Sequence, residues 1–144
     1  MAWHAGQVAG EPWSDQRRPL VLALVGCVDT VLYTADGYDL TAAAIGVLRQ
    51  WAMGDDTISP ADVERVGFAT SCYDFHLIGS GWRATCAAVD ATAAGAKSRD
   101  LVGDLAEVCV IHVAHSVAGR CDRRALARCA DILREHYPVP PGLL

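Results

Sequence analysis

Hydrophobic positions recur along this chain at helical spacing, and no run shows the sustained two-residue alternation of a strand. Leu20, Leu24, Cys27, Val28, Val31 and Leu32 form an i, i+4, i+7, i+8 stripe behind Pro19, a residue that the first helical turn accepts. "TADGYD" (34–39) interrupts it. Ile45, Leu48, Trp51 and Ala52 mark a second helix over 40–53, which "MGDDT" ends. In "SPAD" (59–62), Ser59 is placed as N-cap, Pro60 at the first helical position and Asp62 at the third, a variant of the capping box. A third helix is therefore predicted over 60–78. After the "GSG" turn (79–81) a fourth runs over 82–94. A fifth spans 98–119, opened by Ser98 and Asp100 and closed by Gly119. The sixth, 122–137, carries Leu126, Cys129, Ala130 and Leu133 on one face.

The first eighteen residues hold two glycines, a proline and two tryptophans without periodicity. They read as an extended arm whose Trp3 and Trp13 dock on the body or on a neighbouring molecule. The expected architecture is all-α, a single-domain bundle of about six helices. Residues 1–18 are the arm, 19–137 the helical domain and 138–144 a proline-rich tail.

Composition agrees with a folded core. The 144 residues are 52% hydrophobic and 20% charged, with a mean hydropathy of +0.21. That suffices to bury a core without metal or disulfide support. Cysteines 27, 72, 86, 109, 121 and 129 all fall inside apolar segments and form no CxxC pair. Their placement predicts free, packed thiols and a cytoplasmic protein. The net charge of −5, with no basic run, argues against nucleic acid as a partner. "RRPLVLALVGC" (17–27) mimics a lipoprotein signal, but its apolar core is too short for one. No segment approaches the ~20 apolar residues of a membrane span.

Candidate chemistry concentrates in "EVCVIHVAHSVAGRC" (107–121). At about 100° per residue, Leu101, Leu105, Val108, His112, His115 and Gly119 fall close to one line. On that spacing the fifth helix is central, with His112 and His115 buried and hydrogen-bonded. A metal reading brings Cys72 and His76 (i, i+4) to Cys109 and His112 (i, i+3) as a zinc site. A catalytic reading takes Cys109 or Cys72 as thiolate, a histidine such as His112 or His115 as base, and Asp74 or Asp104 as orienter. The structural reading makes the histidines satisfied core residues, and it is preferred because no standard ligand or nucleophile signature surrounds them.

The order of features also resembles the Imm-5-like family of bacterial immunity proteins. Cys27 and Asp29 on an apolar helix come first, then Ala44, Ile45, Arg49, Trp51 and Gly54. Glu64 and Arg65 follow, and His112, Val113 and His115 come last. This covers about residues 20–119, with the histidine pair one residue closer than the pattern. The resemblance implies an all-α protein that neutralises a bacterial toxin by binding it. An acidic chain would suit a cationic toxin. The expected function is therefore non-enzymatic protein binding, with no cofactor and no membrane partner. The alternative is a small helical enzyme or zinc-binding protein of a biosynthetic pathway, built on the Cys/His cluster. Homo-oligomers could form through Trp3, Trp13 or the Ala/Val faces.

Overall fold

Helices occupy the segments that the periodicity selects, and one more that it does not. The structure, a computed structural model, describes residues 2–31, 38–71, 80–93, 99–116 and 122–138. Within these lie α1 (Ala2–Val8), α2 (Arg18–Asp29), α3 (Tyr38–Ala52), α4 (Pro60–Ser71), α5 (Ser80–Ala93), α6 (Arg99–Ser116) and α7 (Arg123–His136). No strand occurs among the described residues. The protein is all-α.

Local chemistry sets several boundaries. At α4, the Ser59 hydroxyl accepts the Asp62 N–H at 3.3 Å, while the Asp62 carboxylate accepts the Ser59 N–H at 2.9 Å and its O–H at 2.6 Å. The two residues satisfy each other's unpaired donors, as a capping box does. At the end of α3, Gly54 adopts φ +87°; its N–H reaches the Trp51 carbonyl, and Asp55 N–H reaches that of Gln50. This paired closure needs a left-handed residue, which glycine supplies without steric cost. Asp122 caps α7 by accepting the Arg124 N–H at 2.8 Å.

The central helix is α2, which packs against α3, α5, α6 and α7. No charged residue interrupts it between Pro19 and Val28, and Leu20, Val21, Ala23, Leu24, Val25, Cys27 and Val28 are all buried. The stretch that mimics an export signal is thus the core itself. The fifth predicted helix, α6, is packed on several sides as expected, against α1, α2, α5 and α7, but its outward side leaves Leu101, Val108 and Ile111 exposed.

The expected N-terminal arm is also corrected. Residues Ala2–Val8 are helical and lie along α6, burying Ala2, Ala5 and Ala9. A Cβ built on Gly6 would lie 2.5 Å from the Gly103 backbone, so the two helices touch main chain to main chain. Small residues permit this approach, and the packing stabilises a helix too short to persist alone. The turn that follows is locked by Arg17, only 1% exposed. Its guanidinium donates to the carbonyls of Ala9 (3.2 Å), Gly10 (2.6 Å) and Ala91 (2.6 Å), joining the α1–α2 turn to the end of α5. Trp13 docks on the body, its ring edge-on to Trp51 with centroids 5.5 Å apart, and Arg18 lies 5.8 Å from the Trp51 centroid.

Candidate functional site

The register of α6 decides what its side chains can do. Val102, Ala106, Cys109 and Val113 lie on the buried line, with Gly103 and Ala114 beside them. This line is rotated by one residue, about 100°, from the one through Leu101, Leu105, Val108, His112 and His115. Both arcs are apolar, so periodicity does not separate them. Size does, because α1 and α5 pack closely only on the side that carries Gly103, Ala106 and Cys109.

The rotation moves both histidines to the edge of the core, where each is half-buried rather than sealed in. The His115 ring Nδ1 pairs with the Ile111 carbonyl at 2.9 Å, one turn back on the same helix. Of the two rings, His115 alone has a hydrogen bond among the described residues. Burial, then the charge of Arg83, then His115 hold His112 below the usual histidine range. Cys109 is fully buried, and burial followed by the neighbouring Cys129 raises its thiol. A nucleophile needs the thiolate and an open approach, and Cys109 has neither.

The remaining members of the predicted cluster, Cys72, Asp74 and His76, lie outside the described residues. Among the described residues, no three His, Cys, Asp or Glu side chains are arranged to hold a metal ion. Cys27, Cys86, Cys109 and Cys129 are free thiols, while Cys72 and Cys121 also lie outside what is described. Two residues that carry the family resemblance, Asp29 and Arg49, form an ion pair joining α2 to α3. Exposed pairs of that kind contribute little stability.

Two features were not foreseen from the sequence. The first is a groove of about 360 Å³ between α6 and α7, with Ala2 of α1 also in its lining. Val110, Ile111, Leu126, Ala130 and Leu133 make it apolar, and Glu107 and Arg134 add one charge of each sign. Arg134 is already engaged by Asp131 at 2.6 Å. Continuing from the groove wall, the outward side of α6 carries Ile111 (47% exposed), Val108 (39%) and Leu101 (47%), with Asp104 and Glu107 exposed beside them. The second feature is a meeting of three cysteines in the core, Cys27 from α2, Cys109 from α6 and Cys129 from α7. Each sits on its helix's apolar stripe, which made burial readable but not the encounter.

No family model matches the sequence, and comparison with curated proteins and with solved structures likewise finds no match. The Imm-5-like resemblance rests on the residues quoted for it.

Proposed function

We propose that the chain is a non-enzymatic protein-binding domain that engages its partner through the outward side of α6 and the adjoining α6–α7 groove. The observation that supports this most is the exposure of Leu101, Val108 and Ile111 on one helix, running into an apolar groove. Exposed large apolar side chains gathered beside a groove are the material of an interaction site, and a groove between helices accepts an amphipathic segment laid along it. Asp104 and Glu107 flank the stripe, and the chain carries a net charge of −5. The partner that fits is therefore a protein with an apolar anchor inside a basic surface. A cationic toxin, the partner class implied by the immunity-protein resemblance, meets that description.

The test compares the wild-type chain with a Val108→Asp/Ile111→Asp double variant, both confirmed as folded by circular dichroism and thermal melting. The purified product of a flanking toxin-sized gene is titrated against each by calorimetry. A loss of ~100-fold or more in affinity is expected for the variant, since anchors at an interface centre dominate binding. Raised salt should slow association. Undiminished binding by the variant removes the proposed surface. About one zinc per purified chain, released by Cys72→Ser or His76→Ala, would instead favour the metal-binding alternative.

A further inference from the structure

Helices α2 and α7 approach each other closely. A Cβ built on Gly26 would lie 3.1 Å from the Ile132 side chain, a tight contact that marks how closely the two helices pack. One residue along, the Cys27 S–H donates to the Cys129 carbonyl oxygen at 3.9 Å, and the two cysteine side chains lie close enough to interact. Both residues are 0% exposed, and both remain free thiols. Two thiols held in contact by packed helices are an assembled precursor of a disulfide, lacking only an oxidant.

We propose that Cys27 and Cys129 are a reversible oxidation site, forming an intramolecular disulfide that ties α7 to the central helix when a hydroperoxide reaches them. The hydrogen bond from Cys27 lowers the Cys129 thiol, and the charge of Arg128 adds to this while burial opposes it. The same contact raises Cys27. Either thiol of the pair can react first, with the same balance as from Cys129. The Cys129 thiolate attacks the terminal peroxide oxygen, forming an S–O bond as the O–O bond breaks and hydroxide leaves as water. The Cys27 sulfur then attacks the Cys129 sulfur of that sulfenic acid. An S–S bond forms, the S–O bond breaks, and the Cys27 proton departs with the hydroxyl as a second water. The two thiols lose two electrons in all, and the peroxide gains them. Cys109 lies beside the pair, but α6 carries it and, among the described residues, no hydrogen bond joins it to either cysteine.

Because neither sulfur is exposed, the reaction requires α7 to lift from the body. Helix α7 packs mainly on α2 and α6, so its lifting leaves the rest of the fold around α2 in place. Oxidation captures the thiols as the helix recloses and then resists the next opening. The bridge closes a long loop, residues 27 to 129, and long loops are the case in which a cross-link most restricts the unfolded state. This inference does not depend on the proposed binding function, although α7 forms one wall of the groove.

The experiment treats the full chain with hydrogen peroxide, quenches with an alkylating agent under denaturing conditions, and measures intact mass and the cysteine peptides. The expected product is two hydrogens lighter, has two fewer alkylated cysteines, and yields one disulfide-linked peptide pair carrying Cys27 and Cys129. Its melting temperature should rise and return to the starting value with dithiothreitol. Cys27→Ser and Cys129→Ser should each abolish that rise, and Cys109→Ser should keep it. A wild-type chain that retains all its thiols, bridges a different pair, or accumulates only sulfinic acid would overturn the proposal. These readings come from the wild-type chain, so they decide the matter even if a serine variant folds poorly.

Discussion

Gly6→Ala and Gly46→Ala are the same chemical change inside two helices, and the structure predicts opposite outcomes. In a helix interior, alanine is favoured over glycine by about 1 kcal/mol, mostly through backbone entropy. A Cβ at Gly46 would meet nothing within 4 Å, so α3 should gain roughly that amount. At Gly6 the added carbon lies 2.5 Å from the Cα and N of Gly103 and 2.8 Å from the carbonyl carbon of Val102. These are backbone atoms, which no rotamer change can move aside. Ordinary contact begins at 3.4 Å, so α1 must back away by the difference, 0.9 Å, or detach. Overpacking of this kind costs ~1–3 kcal/mol, and lifting the buried faces of Ala2, Ala5 and Ala9 places the loss at the upper end. After the propensity gain, Gly6→Ala should lower stability by about 1–2 kcal/mol. Urea unfolding at constant m-value is the assay, with limited proteolysis to locate the opening at the N-terminus. At about 4 °C per kcal/mol, thermal melting should show both signs. A Gly6→Ala protein as stable as wild type would refute the close contact of α1 with α6.

Three further predictions follow from sites already described. Replacing the buried Arg17 by Met leaves the carbonyls of Ala9, Gly10 and Ala91 without their donor, and stability should fall by about 3 kcal/mol in urea titration. Ser59→Ala should cost ~1 kcal/mol by loss of the α4 cap. Hydrogen bonds from Ser59 and then Arg65 hold Asp62 below the usual carboxylate range. Its contribution is therefore present above that range and lost as pH falls through the folded value, so Ser59→Ala should flatten the acid limb of a stability–pH curve. His112 is also held low, by burial, then Arg83, then His115. For a base this means the unfolded chain takes up the proton first, so stability falls as pH drops from the ordinary histidine value toward the folded one. Arg83→Gln should raise the His112 pKa in an NMR titration, and an unmoved titration would show that Arg83 does not act on it.

What could be read from the sequence was whatever short-range chemistry decides. Ser59, Pro60 and Asp62 name the start of α4 because a cap is completed within four residues. Gly54 ends α3 for the same reason, and Cys27 and Cys129 fall on stripes that the structure buries. The misreadings lie where distant segments decide. "AWHAGQV" lacks a helical signature of its own, and it becomes α1 because Gly6 finds Gly103. On α6, two apolar arcs overlapped, and the choice between them was made by α1 and α5 rather than by hydrophobicity. The histidines followed that choice to the rim. The groove needs Val110 and Ile111 to stand opposite Leu126, Ala130 and Leu133, a placement no local pattern encodes. The cysteine encounter is hidden in the same way.

The seat of α1 on α6 also orders events in time. During synthesis α1 emerges well before its docking surface at Val102 and Gly103, and Arg17 before one of its acceptors at Ala91. Most of the chain must therefore leave the ribosome before the N-terminus has anything to fold against. Until then the opening segment is unprotected polypeptide, too short to hold a helix alone. Contacts this distant in sequence also slow folding in free solution. The element made before its partners is seated after them, so a bulky group fused ahead of α1 would interfere with a late step of folding rather than an early one.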